Sequence, residues 1–143
     1  MRIYRLKRET SEGTFSLLNV QLTIGELSDT RGNRLKGAGV LSPNSFVEYP
    51  FPIRDDQAAV FIACLEQALR HEFPAKMIVR FGWLNLQAWS LELNSYDDKW
   101  FGGGGYKGSC GAPGQWLPIE MSTVAVTGLR DCLMRFYGLP ATG

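Results

Sequence analysis

The sequence contains a single histidine, His71, and this scarcity narrows the chemistry open to the protein. A metal site with two histidine ligands is excluded, and only one imidazole could act as a general base. His71 lies between Arg70 and Glu72 in a segment with helical spacing, a context typical of a surface residue. We therefore predict no metal site, no cofactor and no histidine-based catalyst.

Cysteine is also scarce. The three cysteines, Cys64, Cys110 and Cys132, are odd in number and have no Cys-x-x-Cys spacing. This pattern argues against both a disulfide framework and a zinc knuckle. Because unpaired thiols persist in a reducing compartment, we predict a cytoplasmic protein without disulfide bonds.

The chain lacks an excess of either charge and has no long hydrophobic run. Fifteen basic and fourteen acidic residues give a formal net charge of +1, so no overall field attracts nucleic acid or an anionic membrane. No stretch approaches the roughly 18 consecutive apolar residues of a spanning helix. Residues 1–8 are basic, but Glu9 follows them instead of an apolar segment, so no export signal is predicted.

The first half of the chain has the two-residue periodicity of β-strands. Residues 15–24 alternate apolar and polar side chains, which predicts one strand with a buried and a solvated face. Ile3, Tyr4 and Leu6 lie in a short basic segment before it, and turn residues at 28–33 lead to a third strand at 35–40. A further strand at 46–49 is predicted to end before Pro50 and Pro52. Together these segments predict an antiparallel meander.

Two later segments have the spacing of amphipathic helices. The first begins at Asp55 or Asp56 and runs towards Pro74, and the second lies within residues 122–137 and ends at Gly138. The outer side of the first helix is predicted to carry Gln57, Glu66, Gln67 and Arg70. The core residues predicted on the two helices are Phe61, Leu65, Leu69, Leu129, Leu133 and Phe136.

Between the helices, apolar residues return to a period of two. Met77, Val79, Phe81 and Trp83 share one predicted strand face, and Trp89, Leu91 and Leu93 continue it after a hairpin around 82–85 or within one long bent strand. Residues 116–121 predict another short strand. With 143 residues and no linker, the sequence predicts a single α+β domain over 1–143, with an antiparallel sheet of about five to seven strands and two helices.

Residues 100–114 contain seven glycines, which favours a shaped or mobile loop over a helix or regular strand. Gly103, Gly105 and Gly108 have the spacing of a dinucleotide fingerprint, but no helix signal follows them. Cys110 lies where an exposed thiol could act as a nucleophile, although no protease or transferase signature surrounds it.

Aromatic and charged residues surround these glycines. Tyrosine and tryptophan combine a large contact area with few rotatable bonds, which makes them common anchors of protein interfaces. Charged neighbours would set the choice of partner. The predicted partner-binding residues are Tyr96, Asp97, Asp98, Trp100, Phe101, Tyr106, Lys107 and Trp116.

Three functions remain open from the sequence. The favoured one is a small non-enzymatic module that binds another protein, with inhibitors and immunity proteins that neutralise a toxin as examples of such profiles. The second is a small-ligand or nucleotide-binding domain that uses the loop Gly102–Gly108. The third is an enzyme that depends on Cys110.

Overall fold

The strands of the protein divide between two antiparallel sheets, and two helices pack with them. The computed structural model describes residues 4–42, 48–99, 103–112 and 114–140. The α+β class is confirmed, but sheets of five and four strands replace the single sheet of about five to seven strands that was predicted. The elements are β1 (Tyr4–Leu6), β2 (Gly13–Ser16), β3 (Gln21–Asp29), β4 (Arg34–Leu41), β5 (Tyr49–Pro52), α1 (Asp55–Leu69), β6 (Ala75–Phe81), β7 (Gln87–Asp97), β8 (Gly105–Gly111), β9 (Leu117–Ser122) and α2 (Thr123–Tyr137).

The first sheet has the order β1-β3-β4-β5, with β2 also pairing with β3. The single strand predicted for residues 15–24 is wrong, because the chain reverses between β2 and β3. Leu17 N donates a hydrogen bond to Val20 O at 2.8 Å, and Leu18 has a φ of 71° and an exposed side chain. Leu18, which the pattern counted as a buried strand residue, is therefore an exposed apolar residue of a tight turn.

Strand β5 extends through both prolines that were predicted to end a strand. It is the edge strand of the first sheet and pairs only with β4. Proline has no N–H group, and at an edge position this absence does not deprive a second neighbouring strand of a hydrogen-bond donor. The earlier part of the predicted strand, residues 46–47, lies outside the described residues. Edge position, which the sequence does not reveal, decides that these prolines are tolerated.

Helix α1 follows its predicted start closely but buries part of its predicted outer side. Arg54 N donates to Gln57 Oε1 at 2.9 Å, and Gln57 Nε2 donates to Arg80 O at 2.8 Å. Gln57 and Glu66 are both buried, contrary to the prediction. Gln57 thereby connects the start of α1 to the end of β6. The helix ends at Leu69 instead of continuing to Pro74, because His71 adopts a φ of 58°.

The second sheet is a four-stranded meander in the order β6-β7-β8-β9. Of the two alternatives for this segment, the hairpin is confirmed and the single bent strand is wrong, since β6 and β7 pair antiparallel across the turn at residues 82–86. Trp83 lies in that turn and is exposed, so its predicted place on the buried strand face is wrong. Helix α2 begins with the Ser122 hydroxyl accepting from Ala125 N at 3.0 Å, and it ends at Gly138 with a φ of 64°, as predicted.

The glycine-rich segment contains a regular strand, which the sequence did not predict. Strand β8 pairs with both β7 and β9, and the ladder to β7 is irregular between Leu93 and Ser95. At Gly108, a Cβ atom would lie 1.8 Å from the carbonyl oxygen of Glu92. Glycine at this position is therefore a requirement of the close approach between two strands.

One continuous core joins both sheets and both helices. The Phe51 ring of β5 lies 5.5 Å from the Phe81 ring and 5.2 Å from the Trp89 ring, both of the second sheet. Tyr137 at the end of α2 donates its hydroxyl to Ile53 O at 2.8 Å. Of the predicted helical core residues, Phe61, Leu65, Leu129 and Leu133 are fully buried, whereas Leu69 and Phe136 are partly buried. No helix of the described chain is long and apolar enough to cross a membrane.

Shortening Leu65 should destabilise the protein. Leu65→Ala leaves a cavity between α1 and the core and should lower the free energy of unfolding by about 2–5 kcal/mol in a denaturant titration. Val60→Ala is the matched control, because Val60 lies on the exposed side of the same helix and should change it by less than about 0.5 kcal/mol. Equal effects of the two substitutions would contradict the position of α1.

Adding one methyl group to Gly108 should disrupt the second sheet. Gly108→Ala places a Cβ against the Glu92 carbonyl, so the unfolding free energy should fall by about 1–3 kcal/mol or more. Gly103→Ala is the control, since nothing lies within 4 Å of the position of its Cβ. A Gly108→Ala protein as stable as the Gly103→Ala protein would refute the close pairing of β7 and β8.

Candidate functional site

The alternating strand directions of the second sheet separate two groups of surface residues. The turns at residues 82–86 and 112–116 lie at one end, which we call the apolar end. The connection between β7 and β8 lies at the opposite end, together with His71, which precedes β6. We call this the charged end. Strand β8 spans seven residues between them, which corresponds to about 20 Å.

The charged end collects half of the predicted partner-binding residues. Tyr96, Asp97, Asp98 and Lys107 line a shallow depression of about 750 Å³ together with His71. The His71 ring stacks on the Tyr96 ring at a centroid distance of 4.1 Å. Asp97 Oδ1 accepts a hydrogen bond from Lys99 N at 2.9 Å, which fixes the turn that follows β7. This end thus presents both charges around a small aromatic stack.

The structure does not bring the remaining predicted residues to this depression as exposed anchors. Tyr106 is only 1% exposed, because the alternation of β8 directs it to the core side, where its ring lies 4.9 Å from the Tyr96 ring. Its predicted role as an exposed anchor is therefore corrected to a core residue. Trp116 is exposed but belongs to the apolar end. Trp100 and Phe101 lie outside the described residues.

The apolar end exposes three large side chains that the sequence analysis did not assign to a site. Trp83, Leu84 and Leu86 are 72%, 69% and 71% exposed. Leu84 and Asn85 have φ angles of 53° and 54°, a left-handed conformation that leucine rarely adopts. Gly82 and Asn85 are turn residues, so the sequence did hold a signal that places Trp83 and Leu84 in a turn.

Further exposed apolar residues surround this turn. Trp116 and Leu117 follow the neighbouring turn of the sheet, and Tyr49 lies beside Phe81 at a ring distance of 6.2 Å. Charged residues of both signs lie near this turn as well. Gln57 at the start of α1 bonds to the end of β6, which brings the charged residues at the start of α1 close to the turn. There Arg54 and Asp56 form an ion pair at 3.1 Å, and this hydrogen bond lowers the pKa of the Asp56 carboxyl.

The structure corrects the prediction of an exposed Cys110 thiol. Cys110 is buried on the inner side of β8, and burial raises the pKa of its thiol to about 12. Cys64 and Cys132 are also free and buried, and burial raises their pKa values to about 12 and about 11. The described residues contain no group of three histidine, cysteine, aspartate or glutamate side chains that could hold a metal ion.

The glycine spacing does not form a dinucleotide loop. A dinucleotide fingerprint requires a strand, a glycine turn and then a helix whose N-terminus faces the pyrophosphate. Here Gly105 and Gly108 are themselves in strand β8, and the next element is strand β9. The ligand loop predicted at Gly102–Gly108 is therefore corrected to a strand over its second half.

No family model matches the chain, and no curated protein or solved structure matches it either.

The buried cysteines should react slowly with alkylating reagents. A rise of the Cys110 pKa from 9.0 to about 12 reduces the thiolate fraction roughly a thousandfold at any pH below both values. Iodoacetamide at pH 8 should therefore label the folded protein far more slowly than the protein in denaturant. Mass mapping identifies the modified residue, and rapid labelling of native Cys110 would revive the enzyme hypothesis.

Proposed function

We propose that the protein is a non-enzymatic module that binds another protein through its apolar end. The observation that carries this proposal is the exposure of Trp83, Leu84 and Leu86 on one tight turn. Burying one such side chain contributes about 1.5–3 kcal/mol, so three of them would offset a large share of the cost of association. Contiguous exposed apolar side chains commonly mark interaction sites.

The backbone of the turn supports the same function. A leucine in the left-handed region costs roughly 1 kcal/mol or more, and such strain is concentrated at functional sites. Leu84 adopts this conformation while its side chain contributes little to the core. The strain instead holds Trp83 and Leu84 away from the sheet, where a partner with an apolar cleft can receive them.

The surrounding charges favour a protein partner over a membrane surface. Asp55 and Asp56 at the start of α1 lie near the turn and would be repelled by anionic lipids, while Arg54 and Arg80 would be attracted. Such mixed charges suit a protein surface with complementary groups, which steer association and select the partner.

The charged end is a second candidate surface for the same function. Its depression combines Asp97, Asp98 and Lys107 with the His71–Tyr96 stack. An inhibitor or immunity-type role, in which the partner is a toxin or an enzyme, is compatible with either surface and stays a prediction. A cysteine-dependent enzyme is disfavoured, because the Cys110 thiol is buried and its pKa is raised.

Substituting the exposed turn should weaken binding without unfolding the protein. Immobilised wild type, Leu84→Asp and Val124→Asp are compared for proteins retained from the source cell, and each retained protein is then purified. Leu84→Asp should lower its affinity about thirtyfold, as expected for an anchor that contributes about 2 kcal/mol. Val124→Asp is the matched control, since Val124 is exposed even more than Leu84, 82% against 69%, but lies on α2 at the other end of the sheet.

The outcomes separate the alternatives. Unchanged affinity of Leu84→Asp would reject the apolar end as the interface, and loss of binding by Asp97→Lys would then assign it to the charged end. Sedimentation of wild type with phosphatidylcholine vesicles, abolished by Leu84→Asp, would indicate a lipid surface instead. Unfolding midpoints of Leu84→Asp and Val124→Asp should match that of wild type, because both substituted side chains are exposed.

A further inference from the structure

The outer face of the second sheet contains a groove between the two ends, and Trp116 of the apolar end forms part of its lining. Its volume is about 630 Å³, within the range of small-molecule sites. Helix α1 contributes one wall through Val60, and Trp116 contributes the other. Between them, β6, β7 and β8 form the floor, with Ile78 near the α1 side.

The register of the strands explains why the face is concave. In one row across the sheet, Ser90 of β7 lies between Ile78 of β6 and Gly111 of β8. One large side chain is thus followed by two small residues. The next row places Glu92 between Lys76 and Ser109. An outer sheet face is usually filled by long side chains, and here serine and glycine leave a trough beside the exposed Trp116 ring.

Ser90 is the polar group at the floor of the groove. Ser90 is only 7% exposed, and its hydroxyl makes no hydrogen bond with any described residue. Within the described chain, no fully buried side-chain oxygen or nitrogen lacks a partner, so the Ser90 oxygen must open towards the groove. The hydroxyl is therefore accessible at the floor of the groove, where it can donate to or accept from a polar group of a ligand.

The charges of the groove balance each other. Lys76 Nζ lies 3.3 Å from Glu92 Oε1, and both residues line the same end of the groove. An anionic ligand would be attracted by Lys76 and repelled by Glu92, and a cationic ligand would be attracted by Glu92 and repelled by Lys76. The local charge therefore favours a ligand without net charge.

We propose that this groove binds a small, mainly apolar, uncharged molecule whose carbonyl, hydroxyl or amide group hydrogen-bonds to Ser90 Oγ. A flat or slender apolar body fits between the Trp116 ring and the side chains of Val60 and Ile78, where stacking and burial provide affinity. The site lies outside the segment Gly102–Gly108, and it does not depend on the proposed binding of a protein at Leu84.

The test uses Prodan, an uncharged naphthalene ketone whose emission shifts to the blue in an apolar site. Titration of the full chain should give a saturable blue shift with one site. Ser90→Leu fills the floor and should weaken binding at least tenfold, whereas Ser90→Ala removes only the hydrogen bond and should weaken it roughly two- to tenfold. Ser95→Leu is the matched control, since Ser95 is exposed on the same strand β7, and it should bind like wild type.

Each remaining arm either supports or overturns the proposal. Leu84→Asp should retain Prodan binding, and its loss there would mean that the probe adheres to the apolar end. The anionic probe anilinonaphthalene sulfonate should bind more weakly than Prodan, and equal or tighter binding would overturn the preference for an uncharged ligand. If Ser90→Leu does not fold, Ser109→Leu narrows the groove from β8 and should also reduce binding at least tenfold. Wild-type affinity in the folded leucine variant, or no saturable binding to wild type, would refute the site.

Discussion

The contact of Phe51 with Phe81 and Trp89 is the interaction on which the arrangement of the surface depends. Phe51 lies in the edge strand of the first sheet, and its ring packs against the last residue of β6 and an early residue of β7. Phe81 directly precedes the exposed turn at residues 82–86, and Trp89 lies three residues after it. Because the space beneath the turn is filled by aromatic rings, Trp83, Leu84 and Leu86 have no core to enter and must face outward.

The two faces of the second sheet carry side chains of different size. The inner face contributes to the stability of the core, and the outer face forms the groove. The inner face carries Val79, Trp89, Leu91 and Cys110, all of which are buried in the shared core. The outer face carries serine and glycine at the centre of β7 and β8, so it retains a groove instead of a flat polar surface. Substitutions at the centre of the outer face can therefore change binding while the inner core remains intact.

The apolar end and the groove are neighbours but differ in shape and chemistry. The turn at residues 82–86 is convex and suits a partner that supplies the cleft, whereas the groove is concave and suits a ligand that enters it. Trp116 lies between them, because it ends the turn at the apolar end and also forms one wall of the groove. A ligand in the groove and a protein at the apolar end would both lie close to Trp116, so a shift of this side chain is one route by which the two could influence each other.

The sequence by itself determined the elements that depend on local signals. The two helices, the stop at Gly138 and the α+β class follow from periodicity, capping and turn residues within short segments, whereas the same signals left the hairpin after Phe81 as one of two alternatives. The burial of Leu65, Leu129 and Leu133 followed in the same way, because helical spacing alone indicates which side of a helix is apolar. Tertiary structure decided the rest. Gly108 is in a strand only because β7 approaches it closely. Tyr106 and Cys110 are buried only because β8 lies between two neighbouring strands. Trp116 is separated from the charged end only because strand β8 lies between them. Each of these features depends on which strands pair and on which face of a sheet a residue lies, and such pairing is set by contacts between segments far apart in the chain.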